Sequence, residues 1–161
     1  MENKIKFQNA RIMFKNFAGR ETEFNDEGDR NFHVVIEDSE LADQLLADGW
    51  NVKVRPPRDE NETPLYHLPV KVVFGMYPPN VNLVSVKGVD SKGEPVYNVN
   101  PLNSETVRLI DDAQFECIDL IIRPYSWSKG GRSGITAYLN EFWGLIKENE
   151  FASKYSNRGE Y

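Results

Sequence analysis

The clearest pattern along the chain is a period of two between Ile118 and Phe142. Successive side chains of a β-strand point to opposite faces, so this stretch predicts two strands joined as a hairpin. The glycines and Ser133 of KGGRSG, residues 129–134, supply a turn with a basic tip. One face of the hairpin, which begins with Ile118 and Leu120, is plain core.

The other face carries more aromatic and basic side chains than a core requires. Its members are Arg123, Tyr125 and Trp127 on the first strand and Thr136, Tyr138, Asn140 and Phe142 on the second. A sheet that packs on a core with one face leaves the other face free for water or a ligand. Structural roles stay open, because Trp127 would also plug the end of a barrel and Tyr138 and Phe142 would also pack under a helix.

Shorter patterns predict further strands and two short helices. The strands are expected at residues 4–14, 30–37, 51–56, 65–75 and 82–88. An irregularity is expected near Asn9, and Pro69 indicates an edge strand or a bulge. Residues 90–103 are rich in turn-forming residues and predict no strand.

The first helix is predicted in DSELADQLLADGW, residues 38–50, with Asp38 or Ser39 as its cap and Gly49 as its stop. SETVRLIDDA, residues 104–113, suits a second helix in which Ser104 and Thr106 compete for the cap position. Strands that do not alternate with long helices disfavour a doubly wound parallel sheet. We therefore predict a mainly β fold with inserted short helices, of which an OB-like β-barrel is one member.

The composition fits one domain. The chain has 161 residues, of which 40% are hydrophobic and 12% aromatic, enough to build a core. We expect residues 1–150 to form this domain and residues 151–161 to be a candidate mobile tail. No apolar run approaches the ~20 residues of a membrane span, and no signal peptide is visible. These features predict a cytoplasmic protein without a membrane partner.

Charge is distributed unevenly. The net charge of −6 argues mildly against a nucleic-acid partner. However, residues 1–20 hold five basic residues and one acid, a total of +4, whereas residues 21–49 hold ten acids and one arginine, a total of −9. Most of the deficit therefore sits in one segment, and a basic groove can exist elsewhere. We expect the acidic segment to lie away from such a groove.

Known patterns of catalysis and metal binding are missing from the sequence. His33 and His67 lie in separate predicted strands and Cys117 stands alone, so no zinc pattern is present. GGRSG lacks the spacing and the lysine of a phosphate-binding loop. Asp111 and Asp112 are expected to be solvated at a helix end. We predict no cofactor and no enzymatic activity.

Basic and aromatic residues in interleaved positions are typical of proteins that bind single-stranded nucleic acid. Every base has a face on which a ring can stack, and every nucleotide carries a phosphate. Beyond the hairpin, the candidates for phosphate contact are Lys53 and Arg55 on one strand, Lys71 on its neighbour and Arg132 at the hairpin tip. Isolated lysines more often only solvate an outer face, and that interpretation stays open for each of them.

Several segments in order resemble a known group of proteins. These are RIMFKNFAGRETEFNDEGDRNFHVVIEDSELADQLLADGWNVK, LPVKVVF, DLIIRPYSW and SGITAYLNEFW. Together they are similar to bacteriophage single-stranded DNA-binding proteins with an OB-fold, and the likeness covers roughly residues 4–150. The resemblance implies an OB-type barrel, no catalysis, and a role in coating single strands during phage replication or recombination.

The resemblance also implies which residues bind. It points first to Arg123, Tyr125 and Trp127 in IIRPYSW and to Tyr138 in TAYL. It points less directly to Phe17 and Arg20 in NFAGRE and to Arg30 and Asn31 in DRNF, where a structural turn is an equal interpretation. Single-stranded DNA is the implied partner. Self-association and contacts with replication proteins stay open.

Two other classes remain as alternatives. A protein-binding module, for example an inhibitor, could use the acidic segment 21–49 as a mimic of nucleic acid. A small nuclease-like or nucleotide-binding enzyme would need a divalent cation, for which the sequence offers no ligand cluster.

Overall fold

The computed structural model of the chain describes residues 3–147. Within that range nine strands join one sheet, and two helices interrupt them. In chain order the elements are β1 (Ile5–Phe7), β2 (Ile12–Asn16), β3 (Arg30–Ile36), α1 (Ser39–Asp48), β4 (Lys53–Arg55), β5 (Leu65–Val72), β6 (Asn80–Val89), β7 (Pro95–Leu102), α2 (Leu109–Asp112), β8 (Phe115–Lys129) and β9 (Arg132–Ile146).

The sheet curls until its two ends approach each other. Its main path runs β1-β8-β9-β5-β3-β2, with β4 beside β5 and the β6–β7 pair beside β9. The N–H of Ala10 donates to the carbonyl of Ile118 in β8 at 2.7 Å, and the carbonyl of Arg11 accepts the N–H of Val35 in β3 at 2.9 Å. Ala10 and Arg11, which are adjacent in the sequence, therefore connect β8, near one end of the path, to β3, near the other end. The result is a partly open, OB-like barrel, and the predicted mainly β class with short inserted helices is confirmed.

Aromatic rings fill the centre of the barrel. Phe17 lies parallel to Phe32 with ring centroids 5.0 Å apart, and Phe142 packs edge-on against Phe17 at 5.6 Å. All three side chains are fully buried. The expectation that Phe17 contacts a base is therefore wrong, because a ring without exposed surface cannot stack on a ligand.

Phe142 reaches this core through a β-bulge in β9. Ile121 pairs with Glu141 and Ile122 pairs with Leu139, so Asn140 is an extra residue on its strand. An extra residue shifts the register and reverses the face of the side chains that follow. Phe142 was expected on the outer face and is instead inside, whereas Tyr138 precedes the bulge and stays outside.

The strand β7 was not expected, since residues 90–103 were assigned to turns. It pairs with β6 along its whole length, from Val81 opposite Leu102 to Val89 opposite Pro95. Only residues 90–94 between them form the turn, where the N–H of Gly93 donates to the carbonyl of Asp90 at 3.0 Å. Most of this hairpin is exposed on both faces, so burial does not require one face of β7 to be apolar, and its prolines and asparagines resemble turn residues.

The second helix is shorter than predicted and is capped by a different residue. The side chain of Asn103 accepts the N–H groups of Glu105 and Thr106 at 2.8 and 3.1 Å, and the Thr106 hydroxyl accepts the N–H of Asn103 at 2.9 Å. This reciprocal pair is a capping box that starts one residue before Ser104. A tight turn therefore separates it from the single helical turn of α2.

Asp111 in α2 is not merely solvated. Its carboxylate accepts the N–H of Phe17 at 2.7 Å and the N–H of Ala18 at 2.9 Å. The two bonds hold the loop after β2 against the helix. They fix the chain where the Phe17 ring enters the core.

Pro69 marks neither of the two expected features. β5 is an interior strand, with β3 on one side and both β4 and β9 on the other. The β4 ladder ends at His67 and the β9 ladder begins at Val70. Pro69 lies in the gap between these two partners, where a missing N–H leaves no ladder bond unmade.

The first helix forms as predicted. The Asp38 side chain accepts the N–H groups of Glu40 and Leu41, and Gly49 ends the helix in a left-handed conformation with φ of 99°. The carbonyl of Gly49 then accepts the N–H of Ile135 in β9 at 2.9 Å. Residues of α1 line a cleft on the face of the β8–β9 hairpin that carries Pro124, Ser126 and Ile135. This face is opposite the one that carries Tyr125.

Candidate nucleic-acid interface

The strand register places most of the predicted binding residues on one outer face of the barrel. Residues directly opposite each other on neighbouring strands share a face. Lys53 lies opposite His67, Lys71 lies opposite Tyr138, and Arg123 lies opposite Tyr138. Cations from β4, β5 and β8 therefore meet the same sheet surface.

Tyr138 is the centre of the aromatic cluster. The Arg123 guanidinium carbon lies 5.0 Å from the centroid of the Tyr138 ring, within the range of a cation–π contact. The Tyr125 ring stacks on Tyr138 with centroids 5.1 Å apart and an interplanar angle of 9°. Tyr125 is 50% exposed. The arrangement holds two rings parallel, with ring surface open to solvent.

Trp127 lies further along the same hairpin. A Cβ added at Gly134, the residue opposite, would lie 2.9 Å from Cζ2 of the Trp127 ring. The indole therefore rests on bare backbone and is 39% exposed rather than a buried plug. At the tip, Gly130 and Gly131 turn with φ of 60° and 77°, and Lys129 pairs with Arg132 beside them. The basic tip forms as predicted, while Ser133 belongs to the strand.

Three adjoining cavities form a trough along this face. Their volumes are about 470, 650 and 600 Å³. The first two share Pro69 and Lys71, and the last two share Asn31 and His33. From one end to the other, the trough passes Trp127, Lys71, Tyr138, Asn31, His33, Phe14 and Arg20.

A histidine pair lies in the middle of the trough. The Nδ1 atoms of His33 and His67 are 2.8 Å apart, so one imidazole donates and the other accepts. Burial, then the charge on His67 and on Lys53, lowers the pKa of His33 to about 4. Burial, then Arg55 and Lys53, lowers the pKa of His67. Both rings are therefore neutral at pH 7.

These histidines lie in separate predicted strands and are 34 residues apart, so the sequence did not indicate that they meet. The β3–β5 pairing brings them together on the outer face. A pair is still not a metal centre: in the described part of the chain, no group of three or more His, Cys, Asp or Glu could hold a metal ion. Within residues 3–147, no helix is long and apolar enough to cross a membrane.

The remaining predicted residues lie at the margins. Arg55 is near the histidine pair and also forms an ion pair with Glu62, with a nitrogen–oxygen distance of 3.6 Å. Arg132 stands at the hairpin tip and Arg20 at the far end of the trough. Arg30 lines the trough, with its guanidinium 5.5 Å from the centroid of the Phe74 ring. Phe14 was missed because a bulge between Met13 and Asn16 turns it outward, and Phe74 because it lies just beyond the end of β5.

The acidic segment is divided between two places. Its helical half, α1, lies on the opposite side of the β8–β9 hairpin from Tyr125. Its loop half borders the trough, where Asp29 and Asn25 line the same cavity as Lys71. The expectation that the whole segment lies away from the groove is correct for α1 and wrong for the loop.

The sequence matches the family model of a phage ssDNA-binding domain over residues 1–160. The chain belongs to this family. Two solved structures of the single-stranded DNA-binding protein from bacteriophage Enc34 share the fold. The complex with ssDNA has a TM-score of 0.53 at 12% identity and covers 92% of this chain and 89% of that chain. The C-terminal truncation has a TM-score of 0.51 at 12% identity and covers 91% and 87%.

A comparison with curated proteins matched no relative. The family assignment therefore rests on the family model, and the likeness to solved structures establishes the fold. The family resemblance suggested by the sequence is confirmed.

Proposed function

We propose that the chain binds single-stranded DNA along the trough, with little preference for base sequence. The observation that carries this proposal is the cluster of Arg123, Tyr125 and Tyr138 on one outer face of the sheet, beside the trough that Tyr138 and Lys71 line. The Enc34 protein, whose fold is similar, has been solved in complex with ssDNA.

The chemistry of the trough suits any base. The half-exposed Tyr125 ring, which stacks on Tyr138, offers a π-face, and stacking on such a face tolerates all four bases. Arg123 and Lys71 supply charge for phosphates, which every nucleotide carries. The stack between the tyrosines and the cation–π contact of Arg123 hold these groups in place before DNA arrives. Less ordering is then needed on binding.

Such a protein would coat single strands in phage DNA replication or recombination, in the cytoplasm of the host. Neither role requires a catalytic step, and we propose that the protein is not an enzyme. Residues 1–150 would act as one domain. Residues 148–161, which include the candidate tail, lie outside the described part of the chain.

A titration of labelled oligo-dT at two salt concentrations, with a duplex of equal length as the control, tests the proposal. We expect tighter binding to the single strand. Each phosphate that is neutralised should contribute about −0.7 to the slope of log affinity against log salt. Equal binding to both forms contradicts the proposal. Binding to neither at low salt contradicts it as well and favours the nucleic-acid mimic.

A further inference from the structure

Phe14 stands at the far end of the trough in a conformation that its residue type disfavours. Its φ is 55°, in the left-handed region, and its side chain is 66% exposed. Within residues 3–147, the other non-glycine residue with positive φ is Asn9, and asparagine tolerates this region far better than phenylalanine. A strained, exposed ring of this kind points to a function.

A bulge in β2 produces this arrangement. Met13 pairs with His33 and Asn16 pairs with Asn31, so the β2 side of the ladder contains one extra residue. In a regular strand, Phe14 would lie opposite Phe32, the neighbour of His33, and would point into the core. The place beside Phe32 is instead taken by Phe17. The fold thus buries a later phenylalanine and turns Phe14 outward.

The residue after Phe14, Lys15, reaches the segment around α2. The Lys15 ammonium group donates to the carbonyls of Ile110 and Ala113 at 3.1 and 3.0 Å. These bonds anchor β2 to the segment around α2. Phe14 therefore projects from an anchored strand, not from a free loop.

The Phe14 ring rests against the histidine pair. Its centroid lies 5.1 Å from that of His33 at an interplanar angle of 84°, and 6.2 Å from that of His67 at 67°. The 2.8 Å hydrogen bond between the histidines holds in place both imidazole rings on which Phe14 packs. Arg20 lines the same cavity as Phe14 and is exposed, which places a cation near the ring.

We propose that Phe14 is a further base-stacking ring, supported by the His33–His67 pair, so that one DNA strand stacks both on the tyrosine cluster and on Phe14. This inference rests on the proposed function. Phe14 on β2 and Tyr138 on β9 are separated by β5 and β3. Three strand spacings correspond to about 14 Å, or roughly four nucleotides at the 3.4 Å rise of stacked DNA.

The test compares Phe14→Gly with Phe14→Trp on an oligo-dT of about 16 nucleotides, the upper end of site sizes for this fold. Glycine accepts the positive φ without strain, so the first variant loses the ring but keeps the fold. We expect its affinity to fall roughly 5- to 150-fold, the range for one lost stack. The tryptophan variant should keep its affinity, and its added fluorescence should be quenched by DNA.

Thermal unfolding of Phe14→Gly serves as the control and should show no loss of stability. If the wild type binds the 16-mer and Phe14→Gly binds it equally well, this inference is wrong while the proposed function stands. If Phe14→Trp loses as much affinity as Phe14→Gly, the aromatic face is not what DNA needs, and the inference is also wrong. Failure of the wild type to bind overturns both.

Discussion

The two long hairpins of this protein share a sheet but differ in their surfaces. The β8–β9 hairpin has three basic residues and three acids, but the acids Glu116, Asp119 and Glu141 lie near its open end, so residues 120–140 carry Arg123, Lys129 and Arg132 and a net charge of +3. Between residues 80 and 102 the β6–β7 hairpin carries two lysines, one aspartate and one glutamate, a net charge of zero. Backbone architecture and total charge therefore do not distinguish the hairpin that carries the proposed binding residues, whereas the distribution of its charge does.

Exposure alone does not distinguish the aromatic residues either. Tyr125 in β8 is 50% exposed and Tyr97 in β7 is 51% exposed. Tyr125 stacks on Tyr138, which is also in contact with Arg123. Tyr97 instead lies opposite the exposed Val86 and lines a cavity with Trp143 and Asp119 whose lining includes no cation. We therefore expect that a ring needs cationic neighbours to bind DNA, and that an exposed ring without them is ordinary surface.

Reversing a charge on each hairpin should produce the largest contrast. Arg123→Glu removes a cation and adds an anion, and each unit charge 4 Å from a phosphate contributes about 1–4 kcal/mol at surface dielectric constants. We expect a loss of about 3 kcal/mol in DNA affinity at low salt and a salt slope smaller by about 0.7. Anisotropy titrations at two salt concentrations measure both. The matched variant Lys87→Glu should change neither, and equal losses in the two variants would remove the distinction between the hairpins.

Truncating the two equally exposed tyrosines should give the next largest contrast. Tyr125→Ala removes a stacking surface and should weaken oligo-dT binding by ~1–3 kcal/mol. Tyr97→Ala removes a ring of the same exposure and should leave binding unchanged. Circular dichroism and thermal unfolding of both variants report whether the fold is intact. A Tyr125→Ala protein that binds normally, or a Tyr97→Ala protein that does not, contradicts the assignment of the trough.

The same contrast explains what the sequence could predict. One face of β8 and β9 is buried, so the alternation from Ile118 to Trp127 revealed both the hairpin and its outer face. Neither face of β7 is deeply buried, and its prolines and asparagines are typical of turns, so the strand was missed. Local patterns predict elements only where burial imposes a period on the side chains.

The errors at the candidate site have a different origin. Phe142 was assigned to the wrong face because a single bulge at Asn140 reverses the parity, and nothing in the local sequence marks that bulge. Phe17 was carried over from the resemblance, but the bulge in β2 places it in the core. The histidine pair depends on the pairing of β3 with β5, which is a tertiary contact. Register, bulges and long-range pairing decide these positions, and one sequence does not encode them in a local pattern.

Lowering the pH should destabilise the protein through His33 in the trough. The β6–β7 hairpin contains no histidine and should not contribute to this loss. The pKa of His33 is lowered from 6.5 to about 4 in the folded protein, so the unfolded chain binds more protons between these values. Stability is therefore complete above pH 6.5 and is lost as the pH falls towards 4. Because His33 is only partly buried, we expect a loss on the order of 1–2 kcal/mol.

Chemical denaturation at pH 7 and at about pH 4.5 measures this loss, and His33→Asn serves as the control because it removes the titrating group. The difference in free energy of unfolding between the wild type and His33→Asn should shrink as the pH falls. DNA affinity should move the other way, since a protonated histidine adds positive charge to the trough. Identical pH dependence of stability in the wild type and the variant would show that His33 titrates normally.

The smallest expected effect concerns the acids that the fold divides between the trough and the far side of the β8–β9 hairpin. Asp29 lines a trough cavity with Lys71, whereas Asp43 lies on α1. Two unit charges 8 Å apart in water interact by about 0.5 kcal/mol before screening, and the screening length at physiological salt is itself about 8 Å. Asp29→Asn should therefore raise oligo-dT affinity by no more than about twofold, most clearly at low salt. Asp43→Asn makes the same chemical change on the helix and should leave affinity unchanged. A gain from Asp43→Asn that exceeds the gain from Asp29→Asn would place the DNA path on the helix side and contradict the trough.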